Sequence, residues 1–120
     1  METAAETMVQ AAPNGREPVL RAGDLELRPA EFLVLAGGRP VGMTARELDL
    51  LTALMQRPDR IVSRDELYRV VWGDFRRKSD RSVDVYVGRI RHKLWQALPQ
   101  KQFIHTHFGF GYRFKPEPSP

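Results

Sequence analysis

The sequence predicts an α+β fold: a short N-terminal antiparallel β-sheet, a three-helix core and a C-terminal β-hairpin. Three observations predict it. Short apolar runs punctuated by glycine and proline fill residues 18–43. Two capping boxes, Thr44-Ala-Arg-Glu47 and Ser63-Arg-Asp-Glu66, announce helices. Aromatic and β-branched residues then flank Phe108-Gly-Phe-Gly111 near the end. A chain of 120 residues makes one domain with a modest core.

The elements follow in order. Residues 1–17, METAAETMVQAAPNGRE, are small and polar without a sustained period, and read as a flexible tail or linker. The domain then spans 18–115, with the sheet in 18–43, the helices in 44–98, the hairpin in 103–115 and a tail in 116–120. PVLRA, LELRP, EFLVLA and RPVGM, separated by Gly23-Asp24, Pro29-Ala30 and Gly37-Gly38, give a meander. The Gly37-Gly38 pair can take the positive φ angles of a tight hairpin turn. In each capping box the hydroxyl and the carboxylate satisfy exposed amides reciprocally. Met43 with Leu48, and Val62 with Leu67, add hydrophobic staples. Leu48, Leu51 and Met55 form the buried stripe of the first helix, which Pro58 ends. Leu67, Val70 and Val71 form that of the second, which Gly73 ends. The third helix, 79–98, is capped by Ser79 or Asp80 and closes before Pro99. After the hairpin, Pro116, Pro118 and Pro120 prevent further pairing.

The third helix carries the functional signal. In RSVDVYVGRIRHKL, residues 81–94, Val83, Val87, Ile90 and Leu94 fall on one narrow stripe at about 100° per residue. Arg81, Val85, Gly88, Arg89 and His92 project from the opposite half, with Arg91 and Lys93 on the flanks. Residues 76–93 hold seven Lys and Arg against two Asp, a net +5 in a chain of net +4, while residues 1–18 carry a net −2. Such clustering is the footprint of a polyanion partner; a solvated charged helix is the plainer reading of the charges alone. Helix, turn, helix and hairpin in this order is a winged helix-turn-helix, whose second motif helix enters the major groove. Its hairpin lies against the backbone or minor groove.

The segments GDLELRPAEFLVLAGGRPVGMTARELDLLTALMQRPDRIVSRDELYRVVWG, RSVDVYVGRIRHKL and GFGYRF resemble the OmpR/PhoB-type effector domain of bacterial response regulators, from about Pro18 to Phe114. The most specific pieces are T-x-x-E-x-x-L-L at 44–51, SRDEL at 63–67, VWG at 71–73, R-S-V-D-V-x-V at 81–87 and G-Y-R-F at 111–114. The resemblance implies sequence-specific binding to double-stranded promoter DNA and transcription regulation. It implies a four-stranded N-terminal sheet and two protomers head to tail on direct repeats. It also implies RNA polymerase contact through the loop holding Asp74, Phe75, Arg76, Arg77 and Lys78. The receiver domain that accepts phosphate in this family has no room in this chain. That leaves an isolated effector domain, or a protein with no receiver or with another partner domain. With no heptad repeat and no spare apolar helix face, the free protein is expected to be a monomer that pairs on DNA.

Roles carry across residue by residue. Arg81 matches a phosphate anchor. Val85 and Tyr86 match groove-facing positions, where an apolar side chain meets a thymine methyl and a hydroxyl reaches phosphate. Arg89 matches the base-reading arginine, whose guanidinium pairs bidentately with guanine O6 and N7. Arg91 matches a phosphate contact, Trp72 an indole donating to phosphate and Thr106 a hairpin hydroxyl with a similar role. His92 sits mid-arc and meets DNA or water. Two positions depart from the pattern. Gly88 replaces a common arginine, and an interior glycine costs a helix about 1 kcal/mol against alanine. Phe108 stands where the wing arginine usually enters the minor groove. Its ring is expected to fold back onto Phe110 and Tyr112, leaving Thr106, His105 or His107 to touch phosphate; the alternative is a wedge between bases.

Other classes fit less well. Cysteine is absent, which removes disulfides, thiol nucleophiles and thiolate metal sites and fits a reducing cytoplasm. No apolar run has bilayer length and no charged-then-apolar leader opens the chain, so neither a membrane partner nor secretion is expected. There is no glycine-rich phosphate loop, nucleophile–base pairing or metal motif, so no enzyme and no cofactor is expected. Asp80 and Asp84 read as helix N-terminal charges. His92, His105 and His107, without cysteine or carboxylates at ligand spacing, do not read as a metal set. Trp72 fits core packing as well as a phosphate contact. Phe103, Phe108, Phe110, Tyr112 and Phe114 read as hairpin packing rather than a base-stacking platform, with Tyr112 and Phe114 under the wing. The remaining rival is a winged-helix protein-interaction module that does not bind DNA. The positive third helix argues against it. A gel-shift series at rising salt separates the two, because only DNA binding weakens steeply as salt rises.

Overall fold

The computed structural model describes residues 7–11 and 18–120. Its N-terminal layer is an antiparallel meander of β1 (Thr7–Ala11), β2 (Pro18–Ala22), β3 (Leu25–Arg28), β4 (Leu33–Ala36) and β5 (Arg39–Pro40), in that spatial order. β1 corrects the expectation of a structureless tail and of a four-stranded sheet. It pairs with β2 from Thr7↔Ala22 to Ala11↔Pro18. The outer edge of β2 would otherwise present a row of unpaired backbone groups, and Thr-Met-Val-Gln suits a strand that covers them. The rest of the expected tail, residues 1–6 and 12–17, lies outside the described residues. Between β4 and β5, Gly37 and Gly38 have φ angles of 57° and 82°, as the hairpin reading requires. Leu25 and Leu27 face the core while Glu26 and Arg28 alternate outward, which fixes the register of β3.

α1 (Ala45–Met55) opens with the expected complete capping box. The Glu47 amide donates to Thr44 Oγ1 at 3.2 Å and the Thr44 amide to Glu47 Oε1 at 2.9 Å. α2 (Arg64–Trp72) has only half of its box: the Glu66 amide donates to Ser63 Oγ at 3.1 Å. The Glu66 carboxylate instead pairs with Arg60 at 2.7 Å and Arg57 at 3.2 Å, cations from the preceding loop that outcompete a backbone amide. α2 also buries a different arc from the one expected. Leu67 is fully buried and Val71 half-buried, but Val70 is 46 % exposed. The helix is rotated so that Tyr68 and Trp72 pack on the core, since two large rings bury more area than one valine.

α3 (Ser82–Ala97) starts later than its expected capping residues. The Arg76 guanidinium holds the preceding loop out of the helix, donating to Asp80 O at 3.0 Å and to Asp65 Oδ1 at 2.8 Å. Asp80 still serves the helix start, because the Ser82 amide donates to its Oδ1 at 2.8 Å. Val83, Val87, Ile90 and Leu94 are all buried, as the stripe predicts.

The C-terminal sheet has three strands, β6 (Ile61–Val62), β7 (Lys101–His107) and β8 (Gly111–Pro118), in the order β6-β8-β7. β6, between the first two helices, is an unanticipated third strand. The prolines do not end pairing where expected: Gln102↔Glu117 and Lys101↔Pro118 continue the ladder. The Ser119 amide donates to Gln100 O at 2.8 Å, so odd-numbered amides face β7. The missing amides of Pro116 and Pro118 therefore fall on the side β7 does not use. Leu20, Leu27, Leu51, Leu54, Ile90 and Phe114, fully buried, join both sheets and the helices in one core. Among the described residues no helix is long and apolar enough to cross a membrane.

Candidate nucleic-acid interface

The buried stripe of α3 fixes what its other side presents. Arg81, Val85, Gly88, Arg89 and His92 are all exposed on one face. Arg81 occupies the N-cap position. Arg89 lies over the Tyr86 ring, 5.0 Å from its centroid, a cation–π contact that holds the guanidinium outward on a rigid support. A Cβ at Gly88 would meet nothing within 4 Å, so the centre of this face is bare backbone.

Behind this face, three rings tie α2 to α3. Trp72 stacks on Tyr68 with centroids 4.8 Å apart and meets Tyr86 edge-on at 5.6 Å. Arg46 from α1 lies 5.1 Å over Trp72 and donates to Val71 O at 2.9 Å. Trp72 and Tyr86 are thus half-buried packing groups that support the exposed face of α3 from behind.

A second set of contacts clamps the hairpin to the helices. Arg64 Nε donates to Asp84 Oδ1 at 2.6 Å, and the Tyr112 hydroxyl donates to the same oxygen. The guanidinium groups of Arg64 and Arg91 lie 5.2 and 5.4 Å from the Tyr112 ring centroid. Burial pushes the Asp84 carboxyl up, but the hydrogen bonds from Tyr112 and Arg64 and the charges of Arg64 and Arg81 hold it below the usual carboxylate range. Burial, reinforced by Asp84, pushes the Tyr112 phenol up. Asp84 does lie in the first turn of α3, yet its main work is this junction.

Arg91 and Thr106, both half-buried, meet each other. Arg91 donates to Ile104 O at 3.2 Å and to the Thr106 hydroxyl, and burial lowers its pKa. Phe108 corrects the fold-back expectation: it is 86 % exposed, projecting from the hairpin tip, whereas Tyr112 and Phe114 are buried under the wing. The expected aromatic packing group therefore divides, with Phe103, Tyr112 and Phe114 inside and Phe108 and Phe110 outside. In the loop before α3, Asp74, Phe75, Arg77 and Lys78 are exposed, while Arg76 turns inward to the contacts that shape it.

Sequence reasoning missed several positioning residues. Glu47 is 2 % exposed and takes Lys93 Nζ at 2.6 Å across 46 residues, joining α1 to α3. Burial pushes the Glu47 carboxyl up, but hydrogen bonds from Lys93 and the Thr44 amide and the charges of Lys93 and Arg89 hold it below the usual carboxylate range. The capping box was the one visible signal for Glu47. Nothing local marks Arg46, Arg64 or Tyr68.

These depressed carboxylates make a pH prediction. A carboxyl whose folded pKa lies below its unfolded value adds stability above the unfolded pKa and loses it as pH falls through the folded one. Glu47, Asp84 and Glu66, the last held down by Arg60, all have that sign. The urea midpoint should therefore stay level from about pH 7 to 5 and fall below about pH 4. A midpoint that rises in that acid range would contradict the ion-pair assignments.

Comparison with known proteins agrees with this geometry. The family described as "Transcriptional regulatory protein, C terminal" matches residues 38–114. The phosphate regulon transcriptional regulatory protein PhoB of Escherichia coli is 36 % identical over 107 residues, 89 % of this chain and 46 % of that protein. The uncharacterized transcriptional regulatory protein YclJ of Bacillus subtilis is 43 % identical over 82 residues, 68 % of this chain and 35 % of that protein. The chain thus spans less than half the length of these relatives. The RstA DNA-binding domain of Klebsiella pneumoniae, solved in complex with the RstA box, superposes with a TM-score of 0.74 at 31 % identity, covering 82 % of this chain and 98 % of that one. The DNA-binding domain of CpxR from E. coli gives a TM-score of 0.75 at 28 % identity, covering 82 % and 96 %. A winged-helix fold, a basic exposed α3 and a family match over most of the chain lead to one assignment: this chain belongs to the OmpR/PhoB-type DNA-binding domains of bacterial transcriptional regulatory proteins, a family of transcription factors and not of enzymes.

Proposed function

We propose that the domain binds promoter DNA in the bacterial cytoplasm with α3 in the major groove, where Arg89 reads a base and Arg81 holds phosphate. The observation that carries this reading is the exposed face of α3, with Arg81, Val85, Arg89 and His92 set on a fully buried stripe. Val85 suits a thymine methyl, and the supported Arg89 guanidinium suits guanine. Trp72 and Tyr86 reach the backbone only by their outer edges, and Arg91 and Thr106 act chiefly by fixing the hairpin. Two protomers occupy direct repeats head to tail, and the free domain is a monomer. The exposed Asp74, Phe75, Arg77 and Lys78 form a surface for RNA polymerase, in a loop that Arg76 shapes from inside. A receiver or another regulatory domain controls the occupancy, in keeping with the greater length of the relatives.

Binding measured on a duplex selected from a random pool tests the register of α3. Arg89→Ala should weaken the selected site by about 1–3 kcal/mol and relax preference at one base position. Arg81→Ala should weaken all sequences alike and lower the salt slope by about 1. Intact sequence preference in Arg89→Ala would mean that another residue reads the base.

A further inference from the structure

The hairpin tip is apolar, and nothing among the described residues covers it. Phe108 and Phe110, 86 % and 72 % exposed, flank Gly109, whose φ of 83° turns the chain. The polar side chains leading to the tip are already engaged. The Thr106 hydroxyl accepts from Arg91, and His105 Nε2 donates to Lys115 O at 2.7 Å. His107 Nε2 accepts from Arg113 Nε at 3.0 Å, and Arg113 also reaches Asp59 at 2.6 Å. Residues 107–111, HFGFG, contain no lysine or arginine. The tip therefore offers two phenyl rings and no cation. It also adjoins the reading face. Tyr112, bonded to Asp84 in the first turn of α3, pairs with Thr106, and only the His107↔Gly111 pair separates them from the turn.

We propose that the wing tip enters the minor groove beside the α3 site and wedges Phe108 and Phe110 against the bases, unstacking a step and bending the duplex. The inference rests on the DNA-binding role of α3. A tip without cations gains nothing from the negative potential of a narrow groove. An apolar tip gains by burying its rings at an opened step, as inserted apolar side chains do in DNA-kinking proteins. The hairpin is stiff enough to push, because Gly111 packs directly on the Val62–Ser63 backbone and Tyr112 is held by Asp84.

The test uses short duplexes recovered from a random pool by the wild-type domain, labelled at both ends for energy transfer and probed with permanganate, which oxidises unstacked thymines. Wild type should bring the ends closer and create reactive thymines beside the α3 site. Phe108→Ala/Phe110→Ala should lose both signals, bind about tenfold more weakly and select the same major-groove sequence. Phe108→Leu/Phe110→Leu should keep both, since leucine also wedges. Both rings are exposed, so an unchanged melting temperature keeps folding out of the comparison. Straight, unreactive DNA with wild type, or equal bending by the double alanine variant, overturns the wedge while leaving major-groove reading intact, and assigns the rings to a protein partner. Recovery of no duplex at all overturns both readings together.

Discussion

Gly111→Ala should destabilise the domain by about 4 kcal/mol, lowering its melting temperature by about 15–25 °C. Two costs add. Gly111 has a φ of 142°, a conformation that L side chains rarely adopt. A Cβ there would also stand 2.1 Å from Val62 O and 2.9 Å from Ser63 Cα, backbone atoms of β6 and the α2 cap that have no rotamer to yield. Gly109→Ala is the matched control. Its φ is also positive, at 83°, but nothing lies within 4 Å of the new atom, so the cost should be only about 1 kcal/mol. Urea denaturation of the two variants decides it. Equal losses would show that backbone strain alone, and not the approach of the wing to β6, makes Gly111 necessary.

Lys93→Met should cost about 3 kcal/mol, because it leaves the buried Glu47 carboxylate without its cation. The methionine fills similar volume, so lost packing contributes little. Adding Glu47→Gln should recover most of the loss: an amide oxygen still accepts from the Thr44 amide and carries no charge to strand. The loss in the single variant should also shrink as pH falls, since protonation neutralises the isolated carboxylate. Denaturation of the single and double variants at neutral and acid pH reads all three effects. No recovery in the double variant would locate the damage in the stem of Lys93 instead of its charge.

Patterns with a fixed local period were legible in the sequence, and contacts between distant residues were not. The α3 stripe, the Thr44 box and the Gly37-Gly38 turn each follow from neighbours a few residues apart, and each is found as read. Ser63 capped its helix as expected, but its partner Glu66 was drawn away by Arg57 and Arg60, which no spacing rule weighs. Val70 was misplaced because a nine-residue helix leaves its rotation to the largest rings, and Tyr68 and Trp72 settled it. The prolines of β8 misled because a missing amide matters only on the side where a partner strand waits. At the candidate site the exposed arc of α3 could be read from periodicity. The inward turn of Arg91 and Arg76 could not, since a long cation goes wherever the fold places an acceptor.

The exposed face of α3 has a consequence for how this domain can be changed. Val85, Gly88 and His92 point away from the stripe that carries the helix's packing, and a Cβ at position 88 touches nothing within 4 Å. On the proposed DNA-binding role, recognition and folding are therefore written on separate sides of one helix. A new target sequence can be sought by randomising 85, 88 and 92 together, with little risk that a selected combination is lost to misfolding before it is tried.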